Sequence, residues 1–269
     1  MHWAKIVTQD KEWRWLRADQ GACGYIKRNP PLHIYQTLLR YQGTAPPRGY
    51  ESEGYLLGGP ILFEMDASTK GEPCNLWTLI DLIYSIEELR EILTDYGQYR
   101  ITRVMFSGFR GVHVIIKSSE RQSNPIRFPL DQKNRNLLRD LIKERKQLAR
   151  SIGKWCSGWD WRVSEDIWRV ARVPWSIHGK SSLRAITLQP PYTSNNMQSQ
   201  LRHASPFSLQ RKINIRISRS VPLFTFVDGE IYGPYRKGWR AKLPLAVAVH
   251  LIWLMLTNAF RSTIPLAVI

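Results

Sequence analysis

The sequence predicts an α/β (α+β) fold, a mixed sheet flanked by helices with a small helical insertion. Three observations predict it. GGPILFEMD, residues 58–66, is an apolar run that follows glycine and proline and ends in acids, the pattern of a buried strand. NLWTLIDLIYSIEELREILTD, residues 75–95, repeats its apolar residues at helical spacing. ITRVMF (101–106) and GVHVIIK (111–117) read as strands on either side of a glycine-bracketed turn. The order strand, helix, strand, strand places function at strand ends. A chain of 269 residues is long enough to bury a sizeable core, and we read it as a single domain over residues 1–269.

Each element follows from its own signals. Residues 1–58 mix aromatics, charges and prolines, which predicts short strands, a helix near 32–41 and a loop through APPRGYESEG. In the 75–95 helix Leu76, Leu79, Ile80, Ile83, Ile86 and Leu93 share one face, and Gly97 stops it. The core strands and motifs fall within 55–120 and 155–190. KNRNLLRDLIKERKQLARSI, 133–152, is helical and very basic, and it defines the insertion at about 130–153. Its charges suit a solvated face or contact with a polyanion. PPYTSNNMQSQLRHASPFSLQ, 190–210, reads as a polar, mobile loop. LPLAVAVHLIWLML, 243–256, is apolar but shorter than the roughly 18–20 residues that span a bilayer. It is expected to be a core helix over about 243–260 rather than a membrane anchor.

Composition narrows the partners. Thirty-nine Lys and Arg against 22 Asp and Glu leave a net charge of +17. A chain this basic meets polyanions, with nucleic acid the first candidate and an anionic membrane surface the competitor. The basic residues are spread along the chain, which favours a folded binding surface over a charged tail. Cys23, Cys74 and Cys156 are few, odd in number and far apart, so no disulfide framework and no structural zinc is expected. The N-terminus lacks an apolar signal core, and an intracellular, cytoplasmic location is expected.

Three stretches carry chemistry. Glu64 and Asp66 lie two apart on a strand, so their carboxylates share a face. Two close acids repel, and a hard cation such as Mg²⁺ or Mn²⁺ relieves the conflict. Asp160, between Trp159 and Trp161, is a candidate third ligand. An ordinary acidic pair is the plainer reading of Glu-x-Asp taken alone. In FSGFRGVH, 106–113, the glycines let the backbone approach a guest while Arg110 and His113 donate to it. In WSIHGKSSL, 175–183, His178 and Lys180 flank Gly179, and Arg172 precedes them; all three suit phosphate oxygens. Acids for two metals together with donors for a triphosphate are what nucleotidyl transfer requires.

ILFEMD, FSGFRGVH and WDWRVSEDIWRVARVPWSIHGKSSL, in that order, resemble the small catalytic subunit of archaeal and eukaryotic DNA primase, within the primase–polymerase superfamily. PPLHIYQTLLRY and KLPLAVAVHLI are also similar to that family, so the resemblance covers most of the chain. It implies a primase–polymerase catalytic core. It places Glu64, Asp66 and Asp160 as catalytic metal ligands. It places Ser107, Arg110, His113, Arg172, His178 and Lys180 as nucleotide-binding residues, and matches Arg14 to an early arginine near the nucleotide. It implies a two-metal site, a single-stranded DNA template, NTP or dNTP substrates, a large primase subunit as partner, and work at replication forks in the nucleoid. Two departures stand out. Glu64 replaces an aspartate, which extends the carboxylate by one methylene. The interval before SGFRGVH holds only Cys74, so the zinc cluster of many relatives is not expected. Alternatives are a repair or translesion primase–polymerase, and a catalytically weakened nucleic-acid-binding subunit.

Overall fold

The computed structural model describes residues 3–7, 12–17, 22–29, 31, 33–43, 53–66, 76–95, 97–118, 125–153 and 160–256. In chain order these form β1 (Trp3–Val7), β2 (Trp13–Arg17), α1 (Ala22–Arg28), β3 (His33–Thr37), β4 (Tyr41–Gln42), β5 (Gly54–Leu56), β6 (Ile61–Asp66) and α2 (Leu76–Asp95). Next come β7 (Tyr99–Phe106), β8 (Gly111–Ser118), β9 (Ile126–Phe128), α3 (Gln132–Gly153), α4 (Trp161–Glu165) and β10 (Val170–Arg172). The remainder is β11 (Ile186–Leu188), α5 (Ser194–Leu201) with a 3-10 turn, β12 (Lys212–Arg216), β13 (Phe224–Thr225), β14 (Ile231–Tyr232), β15 (Arg240–Pro244) and α6 (Leu245–Leu256). The architecture is mixed α/β, as the sequence predicts.

The chain divides into two compact units, and the division falls inside β6, α2, β7 and β8. These strands belong to a sheet ordered β11-β7-β8-β6. The first unit comprises residues 1–65, 88–104 and 113–176. It holds the antiparallel sheet β10-β3-β1-β2 and the three-stranded sheet β4-β5-β9. Its core gathers Tyr41, Leu56, Ile126, Phe128, Leu138 and Ile167, with Trp15 and Trp168 packed against them. Cross-strand pairing keeps Lys5 opposite Trp15, with the ammonium 5.3 Å from the ring centroid. α3 turns Leu138, Leu148, Ala149 and Ile152 inward and also buries Arg145. Burial lowers the pKa of Arg145 to about 10, against the pull of the Glu144 and Asp166 charges.

The second unit comprises residues 66–87, 105–112 and 177–269. It contains the antiparallel pairs β12-β15 and β13-β14, and α6 packs on β12 and β15. α6 buries Ala246, Val247, Ala248, Leu251 and Leu254, the core role expected of this segment. Among the described residues no helix is long and apolar enough to cross a membrane.

Two elements differ from the sequence reading. The helix expected near 32–41 is instead β3 and β4. Ile34, Tyr35 and Thr37 favour strand, and β3 is claimed on both edges, by β1 and β10. The expected loop over 190–210 contains α5. Met197 and Leu201, four apart, bury one face of it. Asn196 Nδ2 donates to the carbonyls of Gln189 and Pro191, and Gln200 Nε2 to that of Gln189, anchoring the helix to the preceding chain. Most of the loop expected over 45–54, Trp159, and the cysteines Cys74 and Cys156 lie outside the described residues.

Candidate active site

β6 is apolar and buried from Ile61 to Phe63, and then alternates. Met65 is fully buried, while Glu64 and Asp66 on either side of it are half-buried. Period two therefore places both carboxylates on the face that opens at the end of the strand.

In the first unit, Glu64 is held by cationic groups. Arg169 Nη2 donates to Glu64 Oε2 at 2.8 Å. His113 Nε2 lies 3.6 Å from Oε1, too long for a hydrogen bond but close enough for charge to matter when the ring is protonated. Burial alone would raise the Glu64 pKa; His113 and Arg169 overcome this and bring it down to about 2. His113 itself is buried on β8, and its Nδ1 has no hydrogen-bond partner among the described residues. The backbone N–H of Asp160 donates to the Glu64 carbonyl at 3.1 Å, which brings the third acid to β6. Asp160 is exposed and caps α4, its Oδ1 accepting from the Arg162 N–H at 3.1 Å.

Arg172 ends β10 directly opposite Tyr35 of β3. Its Nη2 donates to the Tyr35 hydroxyl at 2.8 Å, its guanidinium lies 4.6 Å from the Tyr35 ring centroid, and Nη1 meets His33 Nδ1 at 3.3 Å. Burial lowers the pKa of Arg172, opposed by Tyr35 and by the charge of Glu64. Arg14, on β2, is exposed and reaches Glu12 at 3.3 Å and Tyr25 at 3.4 Å.

In the second unit the two basic turns meet. Ser107 closes the first: its N–H donates to the Gly111 carbonyl at 2.8 Å, and its Oγ accepts from the Gly111 N–H at 3.2 Å. Gly108 has φ +89°, and a Cβ there would sit 3.0 Å from both His178 Cβ and the Leu183 carbonyl. Phe109 stacks on His178, with centroids 5.1 Å apart. Ser181 Oγ donates to the Gly108 carbonyl, closing the join. In the second turn the Lys180 N–H donates to His178 Nδ1 at 3.1 Å, so the ring proton sits on Nε2 as a donor. Arg110 reaches from the first turn to Asp66, with Nη2 3.1 Å from Oδ2.

α6 braces the second turn from behind. Trp253 Nε1 donates to the Gly179 carbonyl at 2.6 Å, and His250 Nδ1 lies 2.5 Å from the Ser181 carbonyl. Burial lowers the His250 pKa to about 4, so the ring is neutral near pH 7 and Nδ1–H is the donor.

The carboxylate donor set suits a hard divalent cation, since Glu64 is held ionised. Yet Arg169 and Arg110 already engage two of the three acids. Among the described residues, no group of three or more His, Cys, Asp or Glu side chains is gathered as a ready metal site.

Comparison with known proteins bears on this arrangement. No family model matches the chain. The DNA primase small subunit PriS of Archaeoglobus fulgidus is 25% identical over 292 residues, covering 88% of this chain and 83% of that protein. The PriS of Pyrobaculum arsenaticum is 27% identical, covering 84% and 81%. This chain is similar to the archaeal primase small subunits. A third such relative, from Sulfolobus acidocaldarius, is 26% identical over a shorter match, 61% of this chain and 60% of that protein. Among solved structures, the polymerase domain of Mycobacterium tuberculosis Ligase D in complex with DNA matches with TM-score 0.44 and 15% identity, covering 70% of this chain and 73% of that one.

Several site contacts are not evident from the sequence. Arg169 is one of two arginines in WRVAR; its signal is that a half-buried glutamate needs a cation. His250 and Trp253 passed as core residues of an apolar helix. Their spacing of three, which shares a helix face, and the need of a buried imidazole for a partner were the available signals.

Proposed function

We propose that this protein is a DNA primase catalytic subunit that synthesises short primers from NTPs or dNTPs on single-stranded DNA. The observation that carries the reading is the meeting of FSGFRGVH and SIHGK, some 65 residues apart in the chain, as one pair of interlocked turns in a relative of primase subunits. The reaction is nucleotidyl transfer: a 3′-hydroxyl oxygen gives up its proton to water and bonds to the α-phosphorus, the bond to the β-phosphate bridging oxygen breaks, and pyrophosphate leaves with that electron pair. Arg110, His178 and Lys180 bind the triphosphate and offset its charge. Ser107 and Gly108 fix the turn that presents Arg110. Arg172, stiffened by Tyr35 and His33, adds a further fixed cation. His113 keeps Glu64 anionic.

Glu64, Asp66 and Asp160 would hold Mg²⁺ or Mn²⁺, which would supply charge neutralisation at the reacting phosphate and a more acidic hydroxyl. Arg110 and Arg169 must release the carboxylates for this, so the acids stay paired until nucleotide and metal arrive. The basic surface binds template through phosphate contacts, with affinity falling steeply as salt rises. A large subunit as partner and a location in the cytoplasm at replication forks belong to the same reading.

The specific observation favouring a weakened, binding-only subunit is the double engagement of Glu64 by Arg169 and His113. Incubation with single-stranded DNA, labelled nucleotides and Mg²⁺ or Mn²⁺ separates the two. Oligomers absent from an Asp66→Ala control establish synthesis. Binding of DNA and nucleotide with no product under either metal, alone or after Glu64→Asp, supports the weakened subunit.

A further inference from the structure

Val173–Ser176 is a tight turn, with the Ser176 N–H donating to the Val173 carbonyl at 3.2 Å and the Ser176 hydroxyl to the same oxygen at 2.6 Å. Pro174 and Trp175 occupy its central positions. Trp175 has φ +67°. This is the third position of a type II turn, where glycine is favoured and a bulky side chain is strained. Burial does not compensate. At 61% exposure Trp175 is the most exposed large hydrophobic side chain among the described residues. Trp239, at 50%, at least lies under the Arg236 guanidinium. Neither backbone preference nor packing accounts for an indole at position 175. Strain of this kind persists where a site uses it.

We propose that Trp175 is a stacking platform for a nucleobase. Its indole offers a flat apolar face to solvent, and every base has a complementary face. It stands three residues after Arg172 and three before His178, between the cations assigned to phosphates. In a chain of charge +17 the phosphates of a bound strand or nucleotide find cations readily, and an exposed ring close in sequence to such cations takes the base. The proposal rests on the nucleotidyltransferase reading and adds to it a base-binding residue. The base belongs either to the single-stranded DNA or to the incoming nucleotide.

Trp175→Gly tests it, because glycine accepts the backbone conformation. The expected variant melts at or above the wild-type temperature and binds a single-stranded oligonucleotide about 10- to 100-fold more weakly. The slope of log affinity against log salt is unchanged, since no phosphate contact is lost. An abasic position in the oligonucleotide, walked along its length, weakens wild type at one place and leaves the variant unaffected there. Trp175→Phe retains most of the affinity. If nucleoside triphosphate binding weakens and oligonucleotide binding does not, the stacked base is that of the incoming nucleotide. A glycine variant that binds both as wild type does, or that melts well below it, overturns the proposal. Failure of the wild type to bind either ligand overturns the functional reading instead.

Discussion

The surroundings of Glu64 and the interlocked turns around Gly108 are held by opposite means. Glu64 is held by side chains, Arg169 at 2.8 Å and His113 at 3.6 Å, whose grip depends on charge and pH. The turns are held by hydrogen bonds that end on backbone carbonyls: the Ser107 N–H to Gly111, the His178 N–H to Leu183, the Ser181 hydroxyl to Gly108, and the α6 side chains Trp253 and His250 to Gly179 and Ser181. The first clamp is ionic pairing, and the second is a set of neutral hydrogen bonds.

The comparison breaks most visibly at Asp66 and Gly108. Asp66→Ala is expected to reduce primer synthesis to background while leaving the melting temperature within a few degrees, because the Arg110 pair it removes is about one-third exposed and weak. Gly108→Val forces a β-branched residue to φ +89° against His178 and the Leu183 carbonyl. It is expected to destabilise by about 1–3 kcal/mol and to weaken triphosphate binding more than template binding; separate titrations of the two ligands check this.

The charge clamp has a pH signature. Glu64 titrates at about 2 when folded against an ordinary 4.5, so the unfolded chain takes up that proton first as pH falls. The stabilisation is complete above about pH 4.5 and disappears towards pH 2, a total on the order of a few kcal/mol. Arg169→Ala is expected to lower stability at pH 7 and to flatten the wild-type loss between pH 4.5 and 2. Equal acid sensitivity in both proteins, read from denaturant unfolding at a series of pH values, would remove Arg169 from the account.

The clamp on the turns has a different window. His250 is neutral and buried, titrating at about 4 when folded against 6.5 ordinarily. Stability is lost as pH falls from 6.5 towards 4, and His250→Asn should abolish that slope. The smallest effect is expected of Trp253→Phe, which keeps the ring but loses the bond to Gly179, for about 1 kcal/mol and a few-fold loss of nucleotide affinity. Calorimetry and nucleotide titration on the same samples measure both.

What was legible in the sequence tracks how strongly each segment states its own period. Leu76 through Leu93 repeat at helical spacing, and all six predicted face residues are buried in α2. ILFEMD and GVHVIIK likewise form β6 and β8. His33–Thr37 were misread because their strand identity comes from β1 and β10, one of which lies more than 130 residues away. α5 was hidden by polar residues whose bonds go to the preceding chain rather than to a core. At the site, the motifs singled out FSGFRGVH and WSIHGKSSL, whose turns meet at Gly108, His178 and Ser181. They did not announce Arg169 on Glu64, the α6 brace, or the left-handed backbone of Trp175. These are long-range pairings or local strain, and no spacing rule encodes them.

The central claim is that these elements copy a template. Supplied with oligo(dT) and then oligo(dC), Mn²⁺ and each labelled nucleotide singly, the protein should incorporate adenine nucleotide on the first and guanine nucleotide on the second. Incorporation that ignores the template base, or none on either strand with both ligands bound, would contradict it.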